Sequence, residues 1–332
     1  MLKTDFIDTQ AQEFIRRVLE GDFRAIARLV TLVENGSREA IPYLRELFPH
    51  TGRCFSIGIT GAPGAGKSTL VDRLAESYRG LEKKVGIIAV DPTSPFTGGA
   101  VLGDRIRMQS RSTDPGTFIR SMATRGHIGG LTRTTADVVT VLDAAGFDIV
   151  LLETVGVGQG EVEVARTADA TVVLIVPGMG DDIQAMKAGI MEIADIFVIN
   201  KSDRPGVDRT EAELRALLSM NSTRADGWIP TIIRTIASAG EGLGECWRAI
   251  EKYRAFLANS KIRREEAVRL QKERLLELAC LQARENLLND SATASRINEL
   301  ALLIADRKMD PFTAAEEVVR LHADRHLTNS EC

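Results

Sequence analysis

The sequence predicts an α/β fold: a doubly wound, mostly parallel sheet carrying a glycine-rich loop, with N-terminal helices before it and a C-terminal helical arm after it. Three observations lead there. Near-continuous apolar runs such as "DIVLLE" and "TVVLIV" alternate with helical stretches from residue 54 to about 257, as strands covered on both faces require. One strand-to-helix junction, residues 58–74, reads "GITGAPGAGKSTLVDRL". Beyond about residue 258, "KIRREEAVRLQKERLLELACLQARENLL" has neither Gly nor Pro. The 332 residues thus divide into an N-terminal helical segment (1–50), a domain built on the glycine-rich loop (51–257) and a helical arm (258–332).

Taken in order, Phe14, Val18 and Leu19 share one helical face. After the break at Gly21-Asp22, Ile26, Leu29, Val30 and Val33 make a second stripe. Asn35-Gly36 ends that helix, and Ser37 is placed to cap a third. Strands are expected at Phe55–Thr60, Val85–Val90, Phe118–Ser121, Asp148–Glu153, Thr171–Val176, Ile196–Asn200 and Thr231–Thr235, joined by right-handed crossovers. In the arm, Leu276, Ala279, Ala283 and Leu287 keep helical spacing, and further helices are expected near 294–305 and 312–322, the last opened by Pro311. Such an arm either contacts a second subunit or packs against its own domain.

Composition removes several classes. The chain is 44% hydrophobic, enough for a sizeable core. Its 42 basic residues against 46 acidic ones give a net charge of −4, without the basic excess of a nucleic-acid binder. Four scattered cysteines without a C-x-x-C pair, and four histidines, disfavour structural zinc and suit a reducing cytosol. The start "MLKTDFIDTQ" lacks the apolar stretch of a signal peptide, and no apolar run is long enough to span a membrane. A cytoplasmic protein without membrane or nucleic-acid partners is expected.

The junction fits G-x-x-x-x-G-K-[ST]. Its residues Gly61, Ala62, Pro63, Gly64, Ala65, Gly66, Lys67, Ser68 and Thr69 turn backbone N–H groups toward one point, and the following helix adds its positive N-terminal end. Lys67 can reach the outer phosphates and Ser68 can ligate Mg²⁺. The base is named by "VINKSD": Asn200, Lys201 and Asp203 stand in an N-K-x-D pattern at a strand end. A carboxylate at Asp203 accepts from both N1–H and N2–H₂ of guanine, whereas adenine presents an acceptor there. Lys201 would lay its stem along the base. The loop around Ile236, Ala237 and Ser238 would hold the guanine O6 through a backbone N–H, with Ile236-Ala237 replacing the Ser-Ala usual in G proteins.

Acids at strand ends supply the metal site. Asp91 ends "VGIIAVD", Glu153 ends "DIVLLE", and Asp104 lies between them in "TGGAVLGDRIRM". Asp91 either ligates or caps the turn at Pro92, and Asp104 either ligates or pairs with Arg105 or Arg107. Glu153, after four apolar residues, needs a cation or hydrogen bonds if buried. Gly156 stands where a G protein's second switch meets the γ-phosphate. The next residue is Val157 rather than the water-orienting Gln of small signalling G proteins, which predicts slow intrinsic hydrolysis.

Together "GAPGAGKST", "DPTSPFTGGAVLGDRIRM", "ETVGVGQGEVEVA", "PGMGDDIQAMKAGIMEIAD" and "NKSD" resemble the MeaB/ArgK family, the methylmalonyl-CoA mutase-associated G proteins of the SIMIBI class. The resemblance implies a GTP hydrolase acting as chaperone for an adenosylcobalamin-dependent acyl-CoA mutase. Such a chaperone gates cofactor loading and protects the mutase, binds GTP or GDP with Mg²⁺ but no cobalamin itself, and dimerises through its C-terminal helices. It also implies Asp91, Asp104 and Glu153 as acids of the Mg²⁺/GTP site. A third switch falls at 178–187, where Asp181, Gln184 and Lys187 couple mutase binding to hydrolysis. Lys187 is then a candidate for charge stabilisation in the transition state; on sequence alone it reads equally as a solvent-facing helix lysine. A metal-insertion G protein would bring a His-rich tract or Cys pair, a signal-recognition-type GTPase a Met-rich helix, and a kinase of basic amino-acid uptake an acceptor pocket. The chain has no His-rich tract, Cys pair or Met-rich helix, and N-K-x-D argues against the ATP a kinase would use.

Overall fold

The structure is a computed structural model that describes residues 9–91, 114–123, 130–154, 167–178, 193–220, 226–259 and 261–328. Seven strands form one sheet: β1 (Phe55–Gly61), β2 (Val85–Asp91), β3 (Thr117–Ala123), β4 (Ile149–Thr154), β5 (Ala170–Ile175), β6 (Ile196–Asn200) and β7 (Thr231–Thr235). Their order is β3-β2-β4-β1-β5-β6-β7 and every pairing is parallel. Strands β2–β4 lie on one side of β1 and β5–β7 on the other. The winding therefore reverses at β1, which is where doubly wound folds bind ligands, outside the strands' carboxyl ends.

Alternation along the strands sorts side chains into two faces. On one face Ile57, Ile59, Leu151, Val172 and Leu174 pack against helices α4 (Lys67–Arg79) and α7 (Leu243–Asn259) through Leu70, Leu74, Tyr78, Ile250 and Tyr253. On the other, Ile88, Val90, Val150 and Leu152 meet α1 (Thr9–Leu19), α2 (Phe23–Glu34), α3 (Ala40–Leu47) and α5 (Gly130–Ala144). The neighbours of β5 residues Val172 and Leu174, namely Val173 and Ile175, face a smaller core with Phe197 and Leu214 of α6 (Val207–Met220). The apolar runs are continuous in sequence because both faces are buried.

The N-terminal helices share the sheet's own core. Phe23 of α2 stacks with Phe147 and meets Phe118 of β3 edge-on, and Arg120 of β3 pairs with Glu34 and donates to Thr31 Oγ1. Asp22 caps α2, its Oδ1 accepting from the N–H of Arg24 at 2.8 Å and of Ala25 at 3.3 Å. Ser37 does not cap α3. Its hydroxyl accepts from the N–H of Glu39 at 3.2 Å, in a turn that precedes the helix, and Glu39 takes the cap position without a side-chain bond.

The chain divides into two compact units, Met1–Ser260 and Lys261–Cys332. The second holds α8 (Lys261–Asn289), α9 (Ser291–Ala305) and α10 (Pro311–Thr328). Asp310 caps α10 through the N–H groups of Phe312 and Thr313, both at 2.9 Å. Few of this unit's side chains are buried. Leu276 and Ala279, on the stripe expected to pack, are exposed, as are Leu275, Leu302, Phe312 and Val319. Among the described residues no helix is long and apolar enough to cross a membrane.

Candidate nucleotide-binding site

The phosphate loop leaves β1 at Gly61 and enters α4 at Lys67. Two glycines are demanded by geometry. At Gly61 (φ 139°) a Cβ would lie 2.3 Å from the Leu174 carbonyl oxygen of β5. At Gly66 (φ 96°) it would lie 2.4 Å from Asn200 Nδ2. Gly66 is thus the helix cap and the place where Asn200, at the end of β6, touches the loop.

Lys67 is buried and folds back over the loop, its Nζ donating to the carbonyls of Gly61 at 2.6 Å and Ala62 at 3.1 Å. The ammonium is held at the point to which the loop bends. Ser68, one residue on, donates its hydroxyl to Glu153 Oε1 at 2.5 Å. Glu153 is buried at the end of β4, in register with Ile59 and turned to the same face as α4. Ser68 and Glu153 offer only hard oxygen donors, and they lie side by side. That fits Mg²⁺, which keeps waters and substrate phosphates in its remaining positions. Among the described residues no group of three or more His, Cys, Asp and Glu could hold a metal unaided, so the fit is to an ion shared with phosphate.

The N-K-x-D residues separate into different duties. Asn200 is buried and ties two loops together. Its Nδ2 donates to the Ala65 carbonyl at 2.7 Å, while Oδ1 accepts from Thr235 Oγ1 at 3.0 Å and from the Ala237 N–H at 3.1 Å. Lys201, with a left-handed φ of 56°, crosses to the phosphate loop and donates to the Gly64 carbonyl at 2.7 Å. Asp203 stands exposed beyond this turn. In the following loop Ile236 N–H bonds the Glu241 carbonyl at 3.1 Å and Ala237 N–H is engaged by Asn200. Of the three residues expected to meet guanine O6, Ser238 alone keeps its N–H out of these bonds. The Ser238 carbonyl is reached by Arg73 Nη2 of α4 at 3.4 Å.

Asp91 is the last residue of β2, at the same end of the sheet, paired in register with Ala123. Asp104, Gly156, Asp181, Gln184 and Lys187 lie outside the described residues. Sequence reasoning missed Thr235 and Arg73, which brace Asn200 and the 236–238 loop. Neither belongs to a motif, and only the fold brings them to it.

A glycine loop and a lysine at the reversal point of a parallel sheet, cross-tied to an N-K-x-D strand end, define a P-loop nucleotide hydrolase of the guanine-binding kind. Comparison with known proteins narrows this. The family model described as methylmalonyl Co-A mutase-associated GTPase MeaB matches residues 26–296, and the chain belongs to that family of GTP-hydrolysing enzymes. A putative GTPase of Pyrococcus horikoshii is 47% identical over 92% of this chain and 96% of its own. GTPase ArgK of Escherichia coli is 37% identical over 77% of this chain and 81% of its own. The mouse methylmalonic aciduria type A homolog, described as mitochondrial, is 33% identical over 97% of this chain and 83% of its own. Among solved structures, one described as LAO/AO transport system kinase superposes with a TM-score of 0.69 at 27% identity, covering 95% of this chain and 98% of that one.

Proposed function

We propose that this GTPase is the chaperone of an adenosylcobalamin-dependent acyl-CoA mutase of the methylmalonyl-CoA type. It gates cofactor loading, protects the mutase and works as a homodimer. The observation that carries the reading is the family match over residues 26–296, whose description names a mutase-associated GTPase. The name of the mouse relative points to the same metabolism. The dimer reading is supported by Leu275, Leu276, Leu302 and Phe312 of the C-terminal unit, large apolar side chains left exposed that a second copy would cover.

Little covalent chemistry is asked of the protein. The loop amides and the N-terminal end of α4 receive the phosphate chain. Lys67 exchanges the Gly61 and Ala62 carbonyls for phosphate oxygens and offsets the charge that develops as the γ-phosphoryl departs. Ser68 and Glu153, with Asp91 and Asp104 from the family pattern, would hold Mg²⁺, which would supply positive charge against that of the phosphates. Asp203 selects guanine, and Asn200 keeps the base and phosphate loops in fixed relation. Gly156 senses the γ-phosphate, and Gln184 and Lys187 pass mutase contact to the reaction.

The experiment is GTP turnover by the purified chain with and without a purified candidate mutase. Slow turnover alone and clear stimulation by the mutase are expected, and Lys187→Ala should keep GTP binding while losing the stimulation. A mutase that neither binds nor changes turnover contradicts the assignment. The kinase named for the solved relative is the second reading. It requires stable phosphoryl transfer to an acceptor, which the same assay detects as labelled product other than inorganic phosphate.

A further inference from the structure

Beneath the Ser68–Glu153 pair, on the opposite face of the sheet, lies a pair of hydroxyls to which the motif reading gives no duty. Thr60 and Thr154 are both buried, and Thr154 Oγ1 donates to Thr60 Oγ1 at 3.1 Å, with the Ile59 carbonyl 3.5 Å away. Each is one residue from a group the site depends on. Thr60 precedes Gly61, whose carbonyl anchors Lys67 at 2.6 Å. Thr154 follows Glu153, whose carboxylate takes the Ser68 hydroxyl at 2.5 Å.

The backbone pairing explains why a side-chain link is needed there. The register of β1 with β4 ends at Ile59 with Glu153, whereas β1 stays paired with β5 as far as Gly61 with Leu174. On the β4 side the last residue before the phosphate loop therefore has no ladder partner, and the hydroxyl bond extends the contact by one step. Beyond the ladder, the Thr154 hydroxyl links the two adjacent strand ends that carry Lys67's anchor and the Glu153 carboxylate, through Thr60 Oγ1 and the Ile59 carbonyl.

We infer that the Thr60–Thr154 hydroxyl pair positions the Ser68–Glu153 pair for Mg²⁺, and through it sets the rate of GTP hydrolysis. The inference rests on the Mg²⁺ reading of Ser68 and Glu153 given above. Both threonines are positioning residues; neither touches nucleotide. Partners behind metal ligands characteristically govern metal affinity and activity, and their loss costs about 10–100-fold.

The test is the double variant Thr60→Val/Thr154→Val. It removes both hydroxyls while keeping shape, a replacement that is nearly neutral for stability. The readout is release of a fluorescent GDP analogue as Mg²⁺ is titrated, beside steady-state GTP turnover at saturating Mg²⁺. Expected are a thermal midpoint close to wild type, a half-saturating Mg²⁺ concentration raised roughly tenfold, a kcat lowered by a similar factor and an unchanged KM. Thr154→Ser, which keeps the hydroxyl, should match wild type in both. Wild-type Mg²⁺ response and kcat in the double variant would overturn the inference and leave the Mg²⁺ site standing. Nucleotide release that ignores Mg²⁺ in the wild-type chain would overturn both.

Discussion

The two ends of the sheet solve the same backbone problem in opposite ways. Where strands begin, carboxylates close upon the chain's own N–H groups. Asp143 alone accepts from Gly52 at 2.5 Å, Arg53 at 3.1 Å and Cys54 at 2.9 Å. Asp169 accepts from Ser56, Asp195 from Thr171, Asp148 from Lys84, and Asp114 from Gly116 and from Arg79. Among the described residues where strands end, after β1, β6 and β7, no carboxylate is bonded to a loop amide. The loops are instead bound to one another through carbonyls, by Lys67, Asn200 and Lys201. Backbone donors are consumed by carboxylates at the first end, whereas side-chain donors tie loop carbonyls together at the second. Stability and function should therefore respond separately to substitution at the two ends.

The largest separation is expected from Lys67→Ala. Single-turnover GTP hydrolysis should fall on the order of 10²–10³-fold, the scale of losing one preorganised charge in the transition state. The thermal midpoint of the nucleotide-free chain should barely move; a collapse in stability with hydrolysis retained would erase the distinction. Asp143→Ala should do the reverse. With three backbone donors left unsatisfied, the unfolding free energy from denaturant titration should drop by about 3 kcal/mol, while kcat per folded molecule stays close to wild type. Asn200→Ala tests the tie itself. Stopped-flow release of GDP should accelerate about tenfold through loss of its buried bonds, and unchanged release would show that the loops hold without it.

The smallest effect is a dependence on pH. The Arg79 guanidinium beside Asp114 holds its carboxyl well below the usual carboxylate range, helped by the Gly116 N–H and the Thr117 hydroxyl. A depressed native pKa means that the stabilisation is complete above the unfolded value near about pH 4 and is lost as pH falls below it. The wild-type thermal midpoint should therefore drop more steeply than that of Asp114→Asn between about pH 5 and 3. Parallel curves would remove Asp114 from the group of structural carboxylates.

The two ends also differ in how far they were legible beforehand. The strands and the phosphate loop could be read directly, because "DIVLLE" and "TVVLIV" are buried on both faces and because Gly61 and Gly66 answer local backbone demands. The bond from Asp143 to Gly52 spans 91 residues of sequence, and no spacing rule reaches across it. The same holds for Thr60 with Thr154, and for Asn200, whose motif suggests a base contact but whose atoms are committed to Ala65, Thr235 and Ala237. Ser37 looked like a cap because it precedes a helix; the helix begins three residues later, at Ala40. The stripe containing Leu276 was read correctly as apolar, yet periodicity carries no information about what covers it.

Guanine selection by Asp203 is the claim on which the site depends, and calorimetry on Asp203→Asn measures it most directly. The wild-type chain should bind GDP and GTP well above ATP. The variant offers an N–H₂ where the carboxylate accepted, so it should lose GDP affinity by roughly tenfold or more and gain xanthosine diphosphate, whose C2 carbonyl accepts from that group. GDP bound equally well by both chains, with no gain for xanthosine diphosphate, would contradict the assignment.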